Sequence, residues 1–288
     1  MSPSSPSPRA PWHALFQKHV SQMSATEFSL ATVWKDDNGI PLPRVRMCIF
    51  RGFFGELNLH PSAQKDIAAS ASEDDPGMNP AVYESEMPTF STDIRMAKIW
   101  QIRGKAGDEL GGDVECLFWV KEVSAQWRLK GKAYIIGGDR TLDPLEDAGR
   151  EEIKKWLRVR NVQSQSEQSG NVEQWSWEKE VTAHFANIAP MMRGSFKNPL
   201  PGSSKSATKY DPDLKQGEMV HDLHDPVARK NFRVVVIVLN EVEVIDLSEI
   251  GKSTRFRWKL TKGTGETDFV TGNNEDGQWH WVEEELWP

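Results

Sequence analysis

Apolar and polar positions alternate with a period of two over several short stretches. Phe28–Trp34 (FSLATVW) and Val45–Phe50 (VRMCIF) read as strands, and the intervening KDDNGIPLP holds the Asn-Gly pair of a tight hairpin. Gly52 and Gly55 bracket a further turn, and Leu57–His60 is expected to begin a third strand. Val114–Val120 and Gln126–Ile136 make another pair, with Gln126, Arg128 and Lys130 on one face and Trp127 and Leu129 on the other. Phe232–Leu239 and Val242–Leu247 follow, and Arg255–Leu260 with Gln278–Val282 forms a closing hairpin around Gly-Asn-Asn-Glu-Asp-Gly.

Helical spacing appears between these runs. Pro11–Met23 places Trp12, Leu15, Phe16, His19 and Val20 on one side, Leu145–Val159 is a second helix, and Glu173–Ala186 carries Trp175, Trp177, Val181 and Phe185. Phe90–Gln101 (FSTDIRMAKIWQ) predicts another helix, with Ser91 and Thr92 as N-cap hydroxyls and Asp93 in the first turn. The sum is a mainly β architecture of antiparallel strands with flanking helices, needing no parallel crossover. Residues 1–10 read as a disordered tail and 11–288 as a single domain, interrupted by a Ser-, Asp- and Pro-rich surface insertion at 61–88. Gln163–Asn171 reads as a polar linker and Pro190–Tyr210 as an irregular Pro/Gly/Ser segment.

Composition narrows the function classes. A 38% hydrophobic fraction over 288 residues supports a sizeable core. The net charge of -7, with no long basic run, argues against nucleic acid, and no apolar run is long enough to span a membrane. The N-terminus lacks a secretory pattern, and Cys48 and Cys116 sit singly in apolar runs, so two buried free thiols in the cytoplasm are expected.

Candidate chemistry centres on FSTDIRMAKIWQ. Two hydroxyls beside Arg95 and Lys98, which share a helix face, would suit a phosphate at a helix start; an ordinary capped surface helix would show the same pattern. Other constellations are weaker. His221 and His224 in HDLHDP lack a third cluster with metal-ligand spacing, and His184 reads as a satisfied helix residue. GSSKS has no nucleophile elbow, and Glu283–Glu285 is a solvated acidic face.

Four stretches together resemble the pyridoxamine 5'-phosphate oxidase superfamily of FMN-binding split β-barrels, most closely its Alr-type FMN-binding branch. They are SLATVWKDDNGIPLPRVRMCIFRGF at Ser29–Phe53, FSTDIRMAKIWQ, QWRLKG at Gln126–Gly131, and Asn231–Pro288; MRGSFKNPLPG at Met192–Gly202 adds a proline-glycine loop. The resemblance implies an antiparallel, Greek-key-like split barrel, homodimeric, with FMN between subunits. It implies that Arg46 meets the flavin and its phosphate side chain, and that Met47, Cys48 and Ile49 offer backbone groups along the ring edge. Thr92, Arg95 and Lys98 would take the phosphate, while Gln126 and the late Arg255 would reach the ring. Arg51 stands where the vitamin-B6 oxidases have a lysine for the substrate phosphate; on a regular strand its parity would oppose that of Arg46. Gly251 and Ser253 occupy the positions of an Arg-x-His pair that covers the substrate in those oxidases, which argues against pyridoxamine phosphate as substrate.

The expected function is therefore an FMN-dependent oxidoreductase acting on a small-molecule substrate or electron donor, with no metal and no catalytic acid or base identified. A flavin-binding carrier or sensor without turnover is the alternative. A dimeric barrel holding pyridoxal phosphate or haem ranks below both, because no strand supplies an axial histidine.

Overall fold

A computed structural model describes residues 9–71, 77–104, 106–138, 143–160, 172–206, 214, 216–263 and 279–288. Most of the expected N-terminal tail, the polar linker at 163–171 and the closing Gly-Asn-Asn-Glu-Asp-Gly turn lie outside these residues. Arg9 and Ala10 do not: Arg9 Nη1 is 2.9 Å from His13 Nε2, and Ala10 is buried.

Helix α1 (His13–Val20) precedes the hairpin β1 (Glu27–Lys35) and β2 (Pro41–Ile49). Next come α2 (Pro61–Ser70), β3 (Tyr83–Glu84), β4 (Thr89–Asp93) and α3 (Ala97–Ile102). Strands β5 (Gly112–Val120) and β6 (Ala125–Ile136) lead to α4 (Pro144–Lys154), β7 (Arg158–Val159), α5 (Trp177–Ala186), α6 (Pro190–Gly194) and α7 (Pro226–Asn231). The chain closes with β8 (Phe232–Asp246), β9 (Thr254–Lys262) and β10 (Trp279–Leu286). Two compact units emerge, one from Met1–Phe50, Asp113–Lys132 and Ile237–Pro288, the other from Arg51–Gly112 and Ala133–Val236.

In the first unit the strands run in the order β10-β9-β8-β6-β5-β1-β2. The Asn-Gly signal is realised at the β1–β2 turn, where Asp36 N and Ile40 O are 3.0 Å apart and Gly39 takes φ +79°. One face of the sheet is covered by α1. Phe16 meets Phe118 and Trp127 edge-on at 5.1 and 5.3 Å, and Trp12 meets Trp281 at 5.6 Å. Here the barrel expectation is corrected: β2 and β10 end the strand path unpaired with each other, so the sheet stays open. Closure requires continuous pairing around a ring, whereas this sheet buries its apolar face beneath a helix.

In the second unit β4 pairs antiparallel with the start of β8, Phe90 opposite Val235 and Thr92 opposite Arg233. The expected third strand at Leu57–His60 is absent, because Asn187 takes up its backbone: His60 N donates to Asn187 Oδ1 (2.8 Å) and Asn187 Nδ2 to Asn58 O (3.1 Å). The 61–88 segment is ordered over its first part. It holds α2, capped by His60 and burying Ala63 and Ile67. The two predicted strands at Phe232–Leu239 and Val242–Leu247 are one continuous strand, β8.

Candidate functional site

In the first unit, β2 is an edge strand whose pleat sorts the expected flavin residues. Arg46 and Cys48 lie opposite Leu30 and Phe28, while Met47 and Ile49 point the other way and are exposed. Arg46 Nη1 donates to Thr32 Oγ1 (2.8 Å) and Leu30 O (3.0 Å), and burial lowers the guanidinium's pKa. Cys48 and Cys116 are buried free thiols. The Cys116 pKa is pushed well up, first by burial and then by Cys48 and Glu115. Gln126 is half-buried on β6. Arg255 on β9 donates from Nη2 to Glu243 Oε2 (2.9 Å), and its Nε–H is buried with no hydrogen-bond partner among the described residues.

In the second unit the phosphate candidates sit differently from the helix-cap expectation. Ser91 and Thr92 belong to strand β4, and α3 begins only at Ala97, with no side-chain cap from Met96. Tertiary pairing with β8 outweighs the local capping preference of Ser and Thr. Asp93 caps the bend instead, accepting from Arg95 N at 2.8 Å. The structure still brings Thr92 and Lys98 together: Lys98 Nζ donates to Thr92 Oγ1 at 3.0 Å. Ser91 Oγ, on the same strand, is buried and has no partner among the described residues.

Arg95 is engaged by the protein. It donates from Nε and Nη2 to the Asp93 carboxylate (2.9 and 2.6 Å), and from Nη1 and Nη2 to the carbonyls of Asn198 (3.0 Å) and Phe196 (3.2 Å). It therefore ties the end of β4 to the proline-glycine loop. Arg51 resolves the parity conflict by lying beyond the end of β2, with its backbone N–H on Thr89 O at 2.9 Å. Burial lowers its pKa, and its Nε–H has no partner among the described residues.

Two groups escaped the sequence reading. His184 is not a satisfied helix residue: it is 1% exposed, and neither ring nitrogen has a hydrogen-bond partner among the described residues. Its Nε2 lies 3.8 Å from Glu180 Oε1, and burial together with Arg51's charge lowers its pKa to about 3. The i, i+4 spacing of Glu180 and His184 was the available signal. Glu243, the acid that holds Arg255, sits between Val242 and Val244 with Glu241 two residues before it, and its partners Arg128 and Arg255 come from other strands.

An acceptor-rich ligand fits these residues. FMN presents phosphate oxygens and ring carbonyls as acceptors, and each unit by itself keeps buried donors without an acceptor among the described residues: Arg51 and Ser91 in the second, Arg255 in the first.

The comparisons with known proteins point the same way. Residues 9–137 match the family model for the pyridoxamine 5'-phosphate oxidase FMN-binding domain. Among solved structures, a pyridoxamine 5'-phosphate oxidase-related FMN-binding protein from Nostoc punctiforme PCC 73102 is similar at TM-score 0.55 and 18% identity, covering 98% of this chain and 100% of its own. PhzG from Burkholderia lata 383, in complex with tetrahydrophenazine-1-carboxylic acid, has TM-score 0.43 and 14% identity over 98% of this chain and 94% of its own. The Nostoc likeness is one of fold; that to PhzG carries no further weight. No curated protein matches the chain. Among the described residues no helix is long and apolar enough to cross a membrane. The family model matched over residues 9–137 is that of an FMN-binding domain.

Proposed function

We propose that this protein is a flavin-dependent oxidoreductase, a cytoplasmic homodimer that binds FMN between subunits and acts on a small-molecule substrate or electron donor other than pyridoxamine phosphate. The observation that carries the reading is the family match over residues 9–137, joined by unspent buried donors on Arg51, Ser91 and Arg255. When bound, FMN supplies hydride acceptance and donation at its N5. The chain supplies binding and orientation. Thr92 and Lys98 hold the phosphate, with Arg95 adding charge behind them and Arg51 a further donor. The edge strand offers the backbone of Met47, Cys48 and Ile49, and Arg46, Gln126 and Arg255 polarise the ring. No side chain is assigned as acid or base.

Dimerisation is supported by an exposed apolar face in the first unit. Val33 (54%), Val45 (72%), Met47 (60%) and Trp119 (49%) are all exposed, on the strands β1, β2 and β5 that pair with one another. Burying such a face removes apolar surface from water and covers an open sheet edge. The free thiols Cys48 and Cys116 support a reducing compartment.

The test is the visible spectrum of the purified protein, with FMN titration of the wild type and of Lys98→Ala. Flavin bands, an affinity loss of about tenfold or more in the variant, and reduction by NADH or NADPH with reoxidation in air would establish the enzyme reading. Tight FMN binding without such turnover would favour a carrier or sensor, and failure to take up FMN would leave only the fold.

A further inference from the structure

The outward face of the first unit's sheet carries cross-strand charges. Glu241 of β8 accepts from Lys130 Nζ of β6 at 2.6 Å and lies 3.8 Å from Lys259 Nζ of β9. Two residues on, Glu243 lies between Arg128 of β6 (Nη1–Oε1, 3.5 Å) and Arg255 of β9 (Nη2–Oε2, 2.9 Å). The residue directly opposite Glu243 on β9 is Arg257, which turns to Glu284 instead, while Arg255 stands opposite Ile245. Arg255 therefore reaches its acid diagonally, along the longer cross-strand spacing. Glu243 is also the more deeply set acid, its side chain 7% exposed against 19% for Glu241. One buried carboxylate thus faces two guanidinium groups, one of which keeps a buried Nε–H without a partner.

We propose that Glu243 is a positioning residue for the flavin. By holding Arg255 on the diagonal through a hydrogen bond, with Arg128 in a looser ion pair on its other side, it fixes the aim of the spare Arg255 N–H and holds down the positive charge presented to FMN. The inference rests on Arg255 meeting the flavin, as proposed above. Replacing Glu243 by glutamine keeps its shape and leaves Arg255, the cation that meets the flavin, without its counter-charge. Added positive charge favours the more electron-rich reduced flavin over the oxidised one.

The experiment titrates full-length protein with oxidised and with chemically reduced FMN, for wild type, Glu243→Gln, Glu241→Gln and Glu243→Gln in an Arg255→Ala background. Glu243→Gln is expected to raise the preference for reduced over oxidised FMN about tenfold, which is about 30 mV for a two-electron couple. Glu241→Gln should change it by less than about threefold. The shift should vanish when Arg255 is already alanine, because Glu243 acts through that side chain. An unchanged preference in Glu243→Gln, or a shift that persists without Arg255, overturns the proposal while wild-type FMN binding stands. A wild type that takes up no FMN overturns the flavin reading before any variant is made. Should Glu243→Gln fail to fold, Arg128→Gln removes one cation and leaves Glu243 to Arg255. It is expected to lower the preference about threefold, and no change or a rise would overturn the proposal.

Discussion

His19 in the first unit and His184 in the second are both buried, and they are held in opposite ways. His19 Nδ1 accepts from Trp127 Nε1 at 3.1 Å, within the aromatic core formed by Phe16, Phe118 and Trp127. Burial lowers the His19 pKa and Asp246 pulls it back, so the neutral ring completes a hydrogen-bonded core. His184 stacks parallel to Phe54 (13°, centroids 6.4 Å) with both ring nitrogens unsatisfied among the described residues. Its neighbours are uneasy as well: burial raises the Glu180 carboxyl, which accepts from Gly55 N (3.1 Å) and Asn79 Nδ2 (3.2 Å), and lowers Arg51. One buried imidazole has its polar accounts closed. The other sits among donors and acceptors still open to a partner, beside an arginine assigned to the ligand.

The sharpest way to break the satisfied side is Trp127→Ala. It removes a fully buried indole, leaves a cavity against Phe16 and Trp258, and strips His19 of its donor. Loss of about 3–5 kcal/mol is expected, measured as a shift in the denaturant midpoint. Trp127→Phe should recover most of the packing and leave only the smaller cost of the orphaned His19 nitrogen. If both variants cost the same, the hydrogen bond rather than the ring is what the core depends on.

The open side answers to pH. A base whose folded pKa is about 3 and whose ordinary value is 6.5 loses stability as pH falls, because the unfolded chain takes the proton first. Glu180, with its folded pKa raised, works in the other direction and adds stability as pH falls through its raised value. Comparison with His184→Phe separates the two. The stability of the wild type relative to that variant should drop by about 2–3 kcal/mol between pH 6.5 and 4.5. A difference that stays flat would mean that His184 gains a proton partner on acidification.

Why one side was legible and the other was not follows from the range of the interactions. The β1–β2 hairpin rests on a two-residue turn signal and strict alternation, both local, and it forms as the sequence implies. The aromatic residues of α1 repeat at helical spacing and pack as that spacing requires. Ser91 and Thr92 carry an equally local capping signal, yet Val234 and Arg233 pair with them from more than a hundred residues away and draw them into a strand. The protein partners of Arg95 were hidden in the sequence, because Asp93 reads as a helix cap and the Phe196 and Asn198 carbonyls have no sequence signature at all. The open sheet was hidden for the same reason, since strand signals do not say whether the first and last strands meet. What transferred safely was the β1–β2 hairpin, the β5–β6 pair and the match to an FMN-binding domain, which depends on several short segments in order rather than on any one pairing.

The smallest effect tests the comparison at the level of a single hydroxyl. Thr182 of α5 is buried, and its Oγ1 has no hydrogen-bond partner among the described residues. Thr32 of β1 is buried to the same degree, but its Oγ1 accepts from Arg46 Nη1 at 2.8 Å. Valine has nearly the shape of threonine, so substitution removes the oxygen and little else. At Thr182 the desolvation cost of an unpaired hydroxyl is relieved, and Thr182→Val should stabilise by about 0.5–1 kcal/mol. At Thr32 the same change leaves a guanidinium donor unmatched, and Thr32→Val should destabilise by about 1–2 kcal/mol. Opposite signs in two midpoint measurements would show that the Thr182 hydroxyl is unsatisfied where that of Thr32 is paired. If Thr182→Val destabilises instead, its hydroxyl holds a bridging water, and the openness around His184 is already filled by solvent.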